Sequence, residues 1–431
     1  MPERVLCIGA DRATLKAAGK LGIQCTVLEG RGAYNFGLTD VTSPHRLILV
    51  NKINVIEECI DGLALSGYLG DFYSAVIGLN EEAVVIAASL GLALDIPAIR
   101  FDVAHRYRNK LLQKAAIRAA GIPTPKSEVL GGSGDLNQTV VDYRRVLKPV
   151  SGAGTANVSL VEVGASLPQI DTDRDRSPWA IEEWIDGEEH HIDGVVRDGE
   201  ILFSEVTRYG IPCLSAMRSG SPMRTLKAGM RGSSPKVDQE LEFAAGCLSA
   251  LGAFTGTFHM ELFDTDAGFV FSECAARRGG GMVQEETLAA LGVDLSELSL
   301  KAVSGRRVSS VDARPIKGAV GTTFLPGEEG FVLARPEAAE LYRAFPLAVC
   351  ARVDIPLGFH MPRTNSTIIK MGAVTVRASS ASLLDSYLDQ VVAWWRDRTH
   401  IVKGELTPRD LRKLNPFHLD NGASEMRVNN D

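Results

Sequence analysis

Short apolar runs alternate with amphipathic stretches through the first hundred residues. Arg-Val-Leu-Cys-Ile at 4–8, an Ala/Lys/Leu-rich stretch and Gln-Cys-Thr-Val-Leu-Glu at 24–29 predict strand, helix, strand. That is the opening of a parallel α/β unit. Further buried-strand candidates lie at 46–50 and 75–77, and a helix is expected over 81–92. The turn after the first strand, Gly-Ala-Asp-Arg-Ala-Thr, lacks the G-x-G-x-x-G spacing of a dinucleotide site. The unit therefore reads as Rossmann-like in topology, with a packing or substrate-side role. Residues 103–120 have helical, basic amphipathic spacing, with Lys110 near the start and Gly121, Pro123 and Pro125 closing the element.

The pattern then changes period. Residues 145–161 run strand, Gly/Ser/Thr loop, strand, and residues 179–203 run strand, turn, strand, turn, strand with Asp-Gly at the turns. Gly131–Gly134 suggests a linker, and the Gly/Ser/Pro/Arg-rich 205–235 suggests a mobile loop that serves as a lid or touches substrate. A helix over 238–251 leads into two apolar runs around a five-residue turn, Asp264 to Gly268, which predicts a hairpin pairing Phe263 with Phe269. Helices are expected at 283–292, 294–303 and 380–398, with strands between 318 and 378. The polar 403–431 reads as a loose end.

The chemistry gathers on that hairpin. Glu261 and Glu273 lie among Phe, Leu and Val, and the expected register puts them on one face with Arg277. Two carboxylates there repel each other and lose hydration, so a cation between them or a retained proton is needed. Oxygen-only ligands suit Mg²⁺, which binds one or two carboxylates and completes its shell with phosphate and water. Upstream, Lys148 emerges from a strand into Ser151-Gly152-Ala153-Gly154-Thr155. Glycines there let backbone N–H groups approach an anion, and lysine meets phosphate as a point charge. Neither a Gly-Lys-Ser/Thr triplet nor a helix follows, so this is not a Walker loop. Ile181, Trp184 and Ile185 could frame a flat ring. His190 and His191 are neighbours in a strand and point to opposite faces, so a structural or solvent-facing role is expected for both.

Composition narrows the classes further. The chain has 431 residues, enough for two to four packed units, with 45% hydrophobic and 23% charged residues. Its net charge of −7 argues against nucleic-acid or anionic-membrane partners. No run of ~18 apolar residues and no basic-then-apolar leader is present. Seven dispersed cysteines without C-x-x-C spacing suggest reduced thiols and a cytoplasmic setting.

In order, Lys110, the Lys148 glycine loop, the Glu182–Ile185 segment and the two glutamates followed by Arg277 resemble the ATP-grasp superfamily of carboxylate–amine ligases. The branch they resemble contains the bacterial L-amino-acid ligases and dipeptide synthetases. The resemblance implies an α/β and α+β multidomain chain. A Rossmann-like N-terminal domain (1–104) would precede a two-lobed ATP-grasp fold with antiparallel sheets. One lobe, 105–185, would carry the flap and adenine hinge; the other, 186–310, the Mg²⁺ hairpin. A strand-rich subdomain (311–400) and a polar tail (401–431) would follow.

By the same resemblance, Lys110 and Lys148 would contact ATP phosphates under a flap containing Ser151 and Gly152. Glu182, Glu183 and Ile185 would lie along adenine, with Glu189 near the ribose. Glu261 and Glu273 would hold Mg²⁺, or Mn²⁺ in its place, and Arg277 would stabilise the transferring phosphoryl group. His259, Arg278, Gly279 and Gly280 are candidates for the substrate pocket. The implied reaction activates a small carboxylate as an acyl phosphate and joins it to an amine, both probable amino acids, releasing ADP and phosphate. Homodimers are common among such ligases. The sequence departs from the usual Glu-x-Asn-x-Arg at Ala275, which removes one metal ligand. Two alternatives are a non-catalytic nucleotide-binding regulator, which Ala275 would favour, and a carboxylase acting on bicarbonate. The Gly-Gly-Gly after Arg278 speaks against the carboxylase.

Overall fold

The computed structural model describes residues 3–34, 44–130, 141–152, 154–167, 178–308, 311–314, 317–362 and 370–405. The candidate linker at 131–134 and all of the tail beyond 405 lie outside the described residues.

The N-terminal unit is a parallel sheet in the order Arg46–Val50, Gln24–Gly30, Arg4–Ile8, Ala75–Gly78. Its strands read as continuous apolar runs because both faces are covered. Leu6, Ile8 and Leu28 pack with Leu63, Ile86 and Leu90 on one side. Val5, Cys7 and Val27 pack with Leu15, Ala18 and Leu300 on the other. Leu300 belongs to the helix Leu295–Val303, so this second layer is also the joint to the rest of the molecule.

A four-stranded antiparallel sheet follows, ordered Ser127–Leu130, Trp179–Glu183, Arg145–Pro149, Ser159–Val161. Ile181 packs into its core with Leu147 and Val161, so it does not frame a ring as expected.

The central sheet has eight antiparallel strands. Their order is Gly268–Ala275, Gly256–Thr265, Glu188–Arg197, Glu200–Tyr209, Arg224–Met230, Ala319–Leu325, Gly372–Ala378, Ala348–Val353. Arg224 pairs with Thr323, so the division expected at 310/311 falls inside one continuous sheet. One face packs on the helix Pro235–Leu251 through Ile192, Phe258, Met260 and Leu262. The other face carries the polar residues of the site and, further along, the helices Val283–Leu291 and Leu295–Val303. The helix Ala381–Arg398 closes the C-terminal end on Leu325, Val374 and Val376, with Trp395 fully buried.

Two sequence expectations need correcting here. The 103–120 helix is two helices, Phe101–Arg108 and Lys110–Ala119, broken at Asn109. Asn109 is extended (φ −103°, ψ 111°), and its side chain accepts from the Leu111 and Leu112 amides as an N-cap. The segment 205–235 is not a loop. It holds the end of one strand, the helix Cys213–Ser219 and the strand Arg224–Met230, because sheet partners on both sides pair its backbone.

Candidate active site

The hairpin that bears the glutamates is tighter than expected. Thr265 pairs with Gly268 and Phe263 with Val270, leaving a two-residue turn instead of five. The register then shifts between Glu261 and Leu262, which pair with Glu273 and Phe271 and leave Ser272 as the extra residue of a bulge. Strict alternation would have put Phe271 and Glu273 on the same face. The bulge sends Phe271 into the core, fully buried, and turns Glu273 to the opposite face beside Glu261. The glutamates share a face as expected, but as direct cross-strand partners.

Two cavities meet at this pair. Trp184, Ile185, Glu182, Glu183, Glu189 and Lys148 line the first; His259, Arg277, Arg278, Gly279, Gly280 and Phe324 are among those lining the second. Lys110, Glu261 and Glu273 border both. Gly152 borders the first, whereas the half-buried Ser151 is not among its lining residues. Gly154 (φ +60°) and Thr155 (φ +54°) turn the loop above Lys110. Lys110 Nζ donates to the Gly152 carbonyl at 2.8 Å and sits 3.1 Å from Glu273.

Beneath the first cavity lies a buried ion cluster. Glu182, 3% exposed, receives Lys148 at 2.8 Å and Lys114 at 3.3 Å. Lys114 also donates to the Ser272 carbonyl at 3.0 Å, holding the bulge. Gln113 clamps the residue on the other side of Glu273, donating to the Cys274 carbonyl at 2.6 Å and accepting its amide at 2.9 Å. Sequence reading missed Gln113 and Lys114. Their signal was helical spacing, since Lys114 is one turn beyond Lys110 on the same face.

Charge settles unevenly across these groups. Burial would raise the Glu273 carboxyl, but Lys110 and then Lys148 outweigh it and hold it at about 2. Burial likewise opposes ionisation of Glu182, and Lys148 and Lys114 overcome it to lower its pKa. Lys148 is raised because Glu182 outweighs its desolvation. Lys114 is pulled down to about 8 by burial despite Glu182. Glu189 is pushed up to about 8 by burial and the nearby Glu261, although its carboxylate accepts the Cys213 amide at 2.6 Å.

The remaining candidates are divided between the two faces and the N-terminal joint. His190 and His191 do point oppositely, but neither faces solvent: they are 0% and 1% exposed. His190 meets Glu240 at 3.1 Å and His191 meets Asp193 at 2.6 Å. Asp193 also bonds His259 Nδ1 at 2.9 Å, and His259 Nε2 lies 3.5 Å from Glu261. Burial lowers the His259 pKa, yet Asp193 outweighs it and raises the ring to about 10. Gly279 is required for this packing, since a Cβ there would lie 2.6 Å from Asp193 Oδ1 and 2.7 Å from His259 Nδ1. Arg277 reaches back to Glu81 of the N-terminal unit at 2.7 Å. Arg278 bonds Asp11 at 2.7 Å and Ser296 at 3.0 Å, so it ties the N-terminal unit to the site while it also lines the second cavity. Ala275 pairs with His259 and offers no oxygen toward Glu273.

No protein-family profile matches the chain. It is 24% identical over 273 residues to an L-arginine-specific L-amino acid ligase of Bacillus subtilis, covering 60% of this chain and 64% of that one. It is 26% identical over 220 residues to dapdiamide A synthase of Enterobacter agglomerans, covering 48% and 51%. The aligned stretch thus spans less than two thirds of either relative. Among solved structures, an L-amino acid ligase from Bacillus licheniformis superposes with a TM-score of 0.72 at 18% identity, covering 94% of this chain and 99% of that one. An Aspergillus clavatus carboxyaminoimidazole ribonucleotide synthase complexed with ATP gives 0.70 at 17%, covering 92% and 99%.

Proposed function

With the fold that of the ATP-grasp ligases, we propose that the chain is an ATP-dependent ligase joining a carboxylate, as its acyl phosphate, to an amine, with amino acids as both. The observation that carries the proposal is the facing pair Glu261 and Glu273 at the junction of two cavities, with Lys110 upon it. ATP is assigned to the first cavity, its adenine beside Trp184 and Ile185 and its phosphates toward Lys110 and Lys148. Structural relatives crystallised with ATP or ADP support that assignment.

Mg²⁺ fits the donor set. Two carboxylates face each other, and Glu273 is kept ionised by its lysines, which suits a hard cation that draws its remaining ligands from phosphate and water. When bound, Mg²⁺ would neutralise phosphate charge and orient the phosphates. Ala275 supplies nothing to it.

The chain's own residues do the rest by position and charge, as phosphoryl transfer requires. Lys110 and Lys148 offset the charge of the phosphates. Arg277, at the border of the second cavity, stabilises the transferring phosphoryl group and the later tetrahedral adduct. Against the effect of burial, Asp193 and Glu261 raise the His259 ring to about 10, which suits it to orient Glu261 better than to take the proton of the attacking amine. Burial and Glu261 raise the Glu189 carboxyl to about 8, which lessens its repulsion of the phosphates.

ADP release measured against amino acids, singly and in pairs, tests the reading. Release that needs two partners is expected. ATP binding with no release for any pair would favour the non-catalytic reading, and release that needs bicarbonate would favour a carboxylase.

A further inference from the structure

The second cavity is lined by charges of both signs, and most of them are paired. Arg108 and Arg277 meet Glu81, Lys110 meets Glu273 and Arg278 meets Asp11, while Lys370 lines the cavity beside Phe324. The Lys370 ammonium lies 4.4 Å from the centroid of the Phe324 ring. The backbone of the next residue, Met371, is fixed on both sides: its amide donates to the Leu325 carbonyl at 3.1 Å, and its carbonyl accepts the Asp354 amide at 2.8 Å. Phe324 in turn touches the Gly279–Gly281 loop, since a Cβ on Gly281 would lie 2.9 Å from its ring.

What distinguishes Lys370 is that, among the described residues, it forms no ion pair of its own. Asp354, whose charge reaches it, is paired with Arg352 at 2.7 Å. Arg352 adds a second cation to the same corner. Burial first, and then Arg352, pull Lys370 down to about 8. A lysine half-withdrawn from water lies on a π-face and, among the described residues, makes no ion pair. The other lysine and the arginines lining the cavity are each paired with a carboxylate. Lys370 is therefore the lining cation most open to a substrate anion.

We infer that Lys370 binds the free carboxylate of the amine substrate, so that this substrate is an amino acid held by its acid end with its amine directed toward the glutamate junction. This rests on the ligase reading above and deepens it by assigning one wall of the cavity to one substrate. The cation over Phe324 supplies charge for a carboxylate that takes no part in the reaction, and the ring excludes water from behind it.

The test is a comparison of KM values. From a screen of the twenty protein amino acids in pairs, the best amine substrate is taken with its own carboxamide, and ADP release is followed in wild type, Lys370→Met and Lys370→Arg. The expected result is a rise of about tenfold or more in KM for the free acid in Lys370→Met, the size of one charge-assisted hydrogen bond. KM for ATP and for the carboxylate substrate should stay put, and the wild-type preference for free acid over carboxamide should vanish. Lys370→Arg should restore most of it. An unchanged KM for the amine in Lys370→Met, or a rise confined to the other substrate, overturns the inference and leaves the ligase reading standing. Wild type that releases no ADP with any pair overturns both.

Discussion

Lys148 lines the first cavity and Lys370 the second, both withdrawn from water, and their pKa values move in opposite directions. Lys148 is raised because Glu182, 2.8 Å away, outweighs its burial; Lys370 is lowered by burial and then by Arg352, which the charge of Asp354 only partly offsets. Burial penalises both ammonium groups, so the partner decides the sign. The difference separates two kinds of binding surface. Around Lys148 the protein supplies its own anions and holds a charged lattice ready for a ligand that is much more negative than Glu182. At Lys370 the anion is left for the ligand to bring.

The most severe test of this contrast removes charge at the junction. Glu273→Gln should cut ADP release by ~10³-fold, the scale of losing one preorganised charge in a transition state, and should weaken Mg²⁺-dependent ATP binding measured by calorimetry. Wild-type rates would remove Glu273 from the metal site. Next in size, Lys148→Met leaves Glu182 buried with only Lys114, so urea denaturation should show a loss of about 3 kcal/mol. Lys370→Met, which strands no partner, should stay within about 0.5 kcal/mol of wild type in the same experiment. Equal losses would erase the distinction between the two lysines.

Acid titration sharpens the same point. The Glu182 carboxyl is lowered in the folded state, so its stabilisation is complete above the ordinary glutamate value of about 4.3 and is lost as pH falls through the lowered one. The stability gap between wild type and Glu182→Gln should therefore be widest near neutrality and close on acidification, as followed by circular dichroism. A gap that is constant with pH would mean that the effect of Glu182 is steric. Gly279→Ala forces a Cβ against Asp193 and His259 and should cost roughly 1–3 kcal/mol, read from the thermal midpoint.

Much of this was legible in the chain itself. Period-two runs, Asp-Gly turns and helical spacing located most elements, and an acidic pair among apolar residues marked the hairpin. The register was not legible, because a bulge at Ser272 is a tertiary choice: it satisfies a buried Phe271 and a cavity-facing Glu273 together, which no local pattern encodes. The strands within 205–235 were hidden for a related reason. Their Gly, Ser and Arg content is that of a loop, and only pairing on both sides overrides it. The bond from Arg278 to Asp11 was hidden because the two lie 267 positions apart. Lys114 went unnoticed because a helix lysine gives no hint of burial until Glu182 and Ser272 close over it.

The bond from Arg277 to Glu81 spans 196 positions of chain. The arginine assigned to the reacting phosphoryl group is thus aimed by a turn residue of the N-terminal unit, a unit that contributes none of the site's lysines. The two kinds of cation in the site are held by different parts of the chain. A shift of the N-terminal unit would loosen Arg277 from Glu81 and leave Lys110, Lys114 and Lys148 on Glu273 and Glu182.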